Sequence, residues 1–162
     1  MKPKVYLETS VLSYLAAKPS QDPVTAGRQV ITQRWWHTER TKYSLVISEA
    51  VEAESERGDP VVAARRRLYL VEASLFPVNE TILEVARLLI RPGAIPEQAA
   101  PDALHIAAAA VEGCEYLVTW NFRHIANAQI RREVERILAS HGYTKTTICT
   151  PEELVPPEAV GG

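Results

Sequence analysis

Apolar positions along the chain alternate between strand-like runs and helix-like spacing. Val5-Tyr6-Leu7 is a short β-prone run. Glu8-Thr9-Ser10 follows, then Val11, Leu12, Tyr14 and Leu15 at helical spacing. The pattern reads as strand, tight turn capped by Thr or Ser, and helix. Asp22-Pro23 pairs a cap with a proline at the first helical position and opens a helix through Trp35-Trp36 to about residue 40. Residues 43–47 form a second strand. Ser48 is expected to cap a helix ending near Arg57-Gly58, and Asp59-Pro60 to open the next one, carrying Arg65-Arg66-Arg67.

The second half repeats the alternation. Residues 75–78 give a third strand, and Asn79 caps a helix over 80–90. A Pro/Gly-rich loop is predicted over 91–101. Asp102 then opens an alanine-rich helix to 112, and 116–119 form a fourth strand. Asn121 begins a turn before a helix over 128–140, and 146–149 is a short fifth strand. Thr150-Pro151-Glu152-Glu153 has the form of a capping box with a helical proline. Strands alternating with helices imply parallel pairing with helices on both faces of the sheet. The expectation is one α/β domain over 1–155, a mostly parallel sheet of four to five strands, and a loose tail over 156–162.

Composition narrows the picture. The chain has 162 residues, 46% hydrophobic and 23% charged, as in an ordinary globular domain. No apolar run is long enough for a membrane span, and the start lacks the features of a signal peptide. A cytoplasmic protein without membrane contact is expected. Cys114 and Cys149 stand alone, without CxxC or Cys/His spacing, and read as reduced structural cysteines rather than zinc ligands. The net charge of −2 is not that of a protein gripping phosphates by bulk charge. Nucleic-acid chemistry would need bound cations or local basic patches.

Certain acids sit where a purely structural pattern does not put them. Glu8 directly follows the first strand, and Asn121 lies just past the fourth. In open α/β sheets, ligands bind beyond the carboxyl ends of the strands, where strand order reverses. At about 100° per residue, Glu49, Glu52 and Glu56 share a solvated side of their helix, whereas Glu54 falls on the apolar side. A carboxylate there needs a partner or a cation. Asp102 heads a helix apolar nearly all round, although capping explains an aspartate in that position equally well. Three carboxylates and an amide at one sheet edge form an all-oxygen ligand set. Such a set suits Mg²⁺ or Mn²⁺.

Four stretches, in order, carry a resemblance to a known family. They are Val5-Tyr6-Leu7-Glu8-Thr9-Ser10 with the helix after it, Val46-Ile47-Ser48-Glu49-Ala50-Val51-Glu52-Ala53-Glu54, Pro101-Asp102-Ala103-Leu104-His105-Ile106-Ala107, and Leu117-Val118-Thr119-Trp120-Asn121-Phe122-Arg123-His124-Ile125. Together they resemble the PIN-domain family, and within it the VapC-type toxins of toxin–antitoxin pairs. The resemblance covers roughly residues 4–150. It implies a three-layer α/β/α sandwich and a Mg²⁺- or Mn²⁺-dependent endoribonuclease acting on RNA. It also implies a small antitoxin protein as partner, and a homodimer. Glu8, Glu54 and Asp102 match the family's first three acidic positions, and Asn121 stands where a fourth acid is common. Glu8 replaces the usual aspartate with an arm one methylene longer, and Asn121 removes a charge.

Around this set the residue roles stay open. Thr9, Ser10 and Thr119 either orient Glu8 and contact phosphate or serve as ordinary caps and strand-end hydrogen bonds. Arg123 and His124 either face substrate or lie on the surface. His105 reads as a core histidine. Arg65-Arg66-Arg67 and Arg131-Arg132 are either RNA-backbone contacts or solvated helix faces, and Trp35-Trp36 suits packing better than base stacking. A catalytically weak PIN-like module that binds RNA or a protein is the alternative function. A nucleotide-binding or phosphatase reading is disfavoured, because the chain has no GxxxxGKS/T or GxGxxG turn and no DxD pair after its first strand.

Overall fold

The computed structural model describes residues 1–157; most of the predicted loose tail, 158–162, lies outside them. Among these residues five strands alternate with helices. They are β1 (Lys4–Leu7), α1 (Thr9–Ala16), α2 (Pro23–Thr38), β2 (Ser44–Ser48), α3 (Glu49–Ser55), α4 (Pro60–Leu70) and β3 (Ser74–Phe76). Then come α5 (Glu80–Leu89), α6 (Ala100–Val111), β4 (Tyr116–Val118), α7 (Ala128–Ser140) and β5 (Thr147–Cys149). Every strand pairing is parallel, in the order β3-β2-β1-β4-β5. The chain moves outward from β1 to β3, then crosses to the other side of β1 for β4. The reversal falls between β1 and β4, beside Glu8 and Asn121. Helices α1, α2 and α4 pack on one another, and α5 packs on α6 and α7. The architecture is the expected three-layer α/β/α sandwich. Helix α3 touches both α1 and α6, so Glu54 sits where the two helical layers meet.

Short polar side chains start several helices as the sequence predicts. Asp22 accepts from Thr25 N at 2.8 Å, Asp59 from Val61 N at 2.7 Å and Asn79 from Ile82 N at 2.9 Å. Other expectations need correction. Glu8, rather than Thr9 or Ser10, caps α1, its carboxylate accepting from Ser10 N. Ser48 precedes α3 but makes no side-chain cap, because its hydroxyl is drawn to Tyr6. The predicted 91–101 loop contains a 3₁₀ turn at Glu97–Ala99 that leads into α6 at Ala100, so Asp102 lies in the first turn instead of capping it. Thr150 and Glu153 do make their reciprocal bonds, at 3.0 and 3.3 Å, but close a turn and no helix.

The core is continuous across the sheet. Val5, Leu7, Leu117 and Val118 are fully buried, as are Ala107, Ala108 and Ala109 of α6. Burial of one large aliphatic side chain contributes about 1.5–3 kcal/mol. Trp35 and Trp36 belong to this core: Trp35 donates its indole N–H to Leu154 O at 3.0 Å and stacks on Tyr43. The cysteines are free and buried, and burial pushes both thiols up to about 12. Among the described residues no helix is long and apolar enough to cross a membrane.

The arginine clusters are mostly engaged. Buried Arg66 donates from Nε to Ser55 O at 2.9 Å and from Nη2 to Arg57 O at 2.5 Å, closing the end of α3. Arg67 pairs with Glu56 at 2.6 Å, and Arg131 donates to Ile148 O. The first cluster therefore anchors α4 to α3, which argues against an open basic patch there.

Leu117 lies at the centre of the sheet with no exposed surface. Leu117→Ala is expected to lower the unfolding free energy by about 2–5 kcal/mol. The check is a fall in the urea midpoint at unchanged slope.

Candidate active site

Where β1 ends, the chain turns directly into α1, and the turning residue is Glu8. It is 5% exposed. Its Oε1 accepts from Ser10 Oγ and from Thr119 Oγ1, both at 2.5 Å, and its Oε2 accepts from Ser10 N at 3.2 Å. Those hydroxyls are themselves held. Ser10 Oγ accepts from Trp120 N at 2.8 Å, and Thr119 Oγ1 accepts from Asn121 N at 3.0 Å. The ends of β1 and β4 are thus joined through two hydroxyls and one carboxylate. All three donors to Glu8 are neutral. Among the described residues no cationic side chain pairs with it. An ionised carboxylate in that setting lacks a counter-charge.

Glu54 is held differently. Its exposed neighbours on α3 behave as a solvated stripe, Glu49 accepting from Val78 N and Glu56 pairing with Arg67. Glu54 instead reaches Nε2 of His105, a side chain 1% exposed, three residues along α6 from Asp102. His105 Nδ1 lies 2.7 Å from the Tyr6 hydroxyl, which lies 2.8 Å from Ser48 Oγ. The relay Ser48–Tyr6–His105–Glu54 links the end of β2, the middle of β1, α6 and α3. Burial opposes a charged imidazole, but the Glu54 hydrogen bond and the charges of Glu8, Glu54 and Asp102 outweigh it and raise the His105 pKa. Burial likewise works to raise the Glu54 pKa. The hydrogen bond and charge of His105, then the charge of Arg57, bring it below its ordinary value. Burial and the neighbouring acids hold the Tyr6 phenol far above its ordinary range.

Asp102 completes the group from the first turn of α6. Its Oδ1 accepts from Asn121 Nδ2 at 3.1 Å, and its Oδ2 lies 3.0 Å from His124 Nδ1, which donates when the proton sits on that nitrogen. Asn121 Oδ1 accepts from the backbone N–H groups of Arg123 and His124, so one side chain shapes the loop and touches Asp102. The Arg123 residue is exposed, and its recorded bond here is through its backbone.

The sequence-derived residues thus fall at one edge of the sheet, at its reversal point. Ser10, Thr119 and Asn121 support Glu8 and Asp102; the Thr9 hydroxyl is buried and makes no hydrogen bond. Sequence reasoning did not find the relay behind them. Two signals existed: Tyr6 shares the Glu8 face of β1 at the two-residue strand period, and His105 lies about 60° from Asp102 around the helix. A hard cation suits the all-oxygen chemistry of the set and the buried, uncompensated Glu8. Among the described residues, however, no three His, Cys, Asp or Glu groups stand together as a ready ion-binding cluster. Each acid is turned to its own protein partners, Glu8 to Ser10 and Thr119, Glu54 to His105, and Asp102 to Asn121 and His124.

No protein-family model and no curated protein matches the chain. Solved structures do. VapBC2 of Rickettsia felis, solved bound to a DNA fragment from their promoter, aligns with a TM-score of 0.55 over 91% of this chain and 98% of that chain, at 14% identity. VapC20 of Mycobacterium tuberculosis, a sarcin-ricin loop cleaving toxin, aligns with a TM-score of 0.58 over 78% and 96% of the two chains, at 15% identity. The likeness is one of fold. This chain shares the α/β/α fold of those two structures.

The pKa directions define a pH test. The raised His105 stabilises the fold fully below its ordinary value of 6.5, and that contribution is lost as pH rises through its folded value. The lowered Glu54 contributes fully above its ordinary 4.5 and fades as pH falls through its folded value. In metal-free buffer, the melting-temperature deficit of His105→Gln is expected to be largest between pH 4.5 and 6.5, and to narrow on either side. A deficit independent of pH sinks the ion pair.

Proposed function

We propose that the chain is a Mg²⁺- or Mn²⁺-dependent endoribonuclease, the toxin of a toxin–antitoxin pair, acting in the cytoplasm and restrained by a small antitoxin protein. One observation carries the reading. Glu8, Glu54 and Asp102 come from three distant segments, Glu8 at the end of β1 where the strand order reverses, Glu54 bonded to His105 and Asp102 three residues before His105 on α6, in a fold shared with a sarcin-ricin loop cleaving toxin. A homodimer, which the family resemblance of the sequence implies, is part of the proposal.

In this reading Glu8, Glu54 and Asp102, with Asn121, are the residues that hold the cation. Bound there, a divalent ion supplies Lewis acidity toward the phosphodiester and a water activated for attack. The remaining chemistry belongs to the chain. Ser10 and Thr119 fix the Glu8 carboxylate through their hydroxyls. His105 holds Glu54, and the Tyr6 hydroxyl sets the imidazole. Asn121 and His124 orient Asp102, and in this reading exposed Arg123 meets a phosphate of the substrate. No nucleophilic side chain is required.

A second reading, a catalytically weak module that binds RNA or a protein, draws on the same geometry. Both oxygens of Asp102 and one of Glu54 are already engaged by protein groups.

The purified chain, incubated with Mn²⁺ and ribosomal or transfer RNA, is expected to cut RNA and to stop on addition of EDTA. Asp102→Asn abolishes cutting. Thr119→Val, which removes one hydroxyl from Glu8, lowers it roughly 10- to 100-fold. Cutting that survives both EDTA and Asp102→Asn overturns the metal-dependent reading. Absence of cutting, with no calorimetric heat from Mn²⁺, favours the binding module.

A further inference from the structure

Phe122 is an unusual side chain for its place. It is 40% exposed, one residue beyond Asn121, in the loop that also carries His124. Adjacent Cα atoms are about 3.8 Å apart, so its backbone is next to the acidic edge. Above the ring sits Arg28 of α2, its guanidinium carbon 4.7 Å from the Phe122 centroid and 5.7 Å from that of Trp120. The two aromatic rings are 6.0 Å apart and inclined at 58°.

The rest of this assembly is packed and hydrogen-bonded. Trp120 is 5% exposed, donates its indole N–H to buried Thr32 Oγ1 at 2.8 Å and meets Tyr14 edge-on at 5.9 Å. Phe122 N–H donates to Trp120 O at 3.0 Å. Among the described residues Arg28 forms no ion pair. A fixed indole therefore supports an exposed phenyl ring and a guanidinium that has kept its charge.

We propose that Phe122 and Arg28 form a stacking shelf for an unpaired RNA base beside the acidic site. The proposal rests on the ribonuclease reading above. Every nucleobase offers a π face to an aromatic ring, and a neighbouring guanidinium adds stacking and cation–π attraction while attracting the backbone phosphate. The chain needs such a device. Its net charge is −2, and Arg66 and Arg67 are bound to the protein itself, so bulk charge does not supply the grip. Stacking is indifferent to the sign of the protein and tolerant of sequence, so the shelf sets where an extruded base rests rather than which base it is.

The test uses the full chain in EDTA, where RNA stays uncut, and a single-stranded oligoribonucleotide containing 2-aminopurine. Wild type is expected to bind and to quench the 2-aminopurine. Phe122→Ala weakens binding by about tenfold and removes the quenching, Phe122→Trp restores both, and Arg28→Ala weakens binding. Circular dichroism of Phe122→Ala unchanged from wild type confirms that the fold is intact. Equal binding by wild type and Phe122→Ala overturns the shelf, even if the protein cuts RNA with Mn²⁺. So does a failure of wild type to bind the oligonucleotide, or a Phe122→Ala defect confined to a protein partner. Binding that depends on Phe122 in a protein that never cuts RNA upholds the shelf and sinks the ribonuclease reading instead.

Discussion

A carboxylate on α3 reaches an imidazole with almost no exposed surface, and that imidazole reaches a phenol at the centre of the sheet. Without Glu54, His105 would be a buried polar ring with one nitrogen unmatched. Without His105, Tyr6 would bury a hydroxyl shared with Ser48 alone. An unsatisfied buried group of this kind costs about 1–3 kcal/mol. Each member therefore requires the next, and together they require α3, α6, β1 and β2 to meet at one place. The relay explains why Ser48 gives up the cap it would otherwise make, and why Glu54 departs from the solvated stripe of its neighbours. It also makes the interior rear of the acidic edge a set of fixed donors rather than a fluid apolar wall.

Local features were readable from the chain wherever local chemistry decides. The Asp22-Pro23 and Asp59-Pro60 pairs start helices because cap and proline act within one turn. Helix α7 occupies the span its apolar spacing predicts. Glu54 stood out because a helix has a fixed angular period. The failures have a common cause, which is competition from a distant partner. Ser48 and Thr9 look like caps, but Tyr6 takes the first hydroxyl, and Glu8 supplies the cap of α1. The Thr150–Glu153 box forms its bonds, yet no apolar stripe follows to carry a helix onward. The Tyr6–His105 contact joins residues 99 apart, and no local pattern announces it. The approach of Arg28 to Phe122 is hidden for the same reason.

The electrostatics of the edge are those of shared restraint. Glu8 is stabilised by hydroxyl and amide dipoles, Glu54 by an imidazole, and Asp102 by an amide and a second imidazole. None uses a lysine or arginine as its direct partner. Negative charge is thereby gathered with imidazoles as its only partly cationic partners, and fixed dipoles limit its repulsion. The surrounding arginines are set farther out, closing α3 or stacking on aromatic rings.

The place of β1 in the sheet has a consequence for the birth of the protein. Of the five strands β1 is the earliest in sequence and the central one, and on one side it pairs with β4, Val5 lying opposite Tyr116. The bond from Thr119 to Glu8 spans 111 residues. Pairings of such long range form late, because the intervening chain must first be synthesised and then brought together. Until the segment carrying His105 and Thr119 has left the ribosome, Glu8 has no Thr119 and Glu54 has no His105. The acidic edge is assembled only after residues as far as His124 have emerged, so a shorter emerging chain carries its charged residues without the arrangement that gives them a purpose.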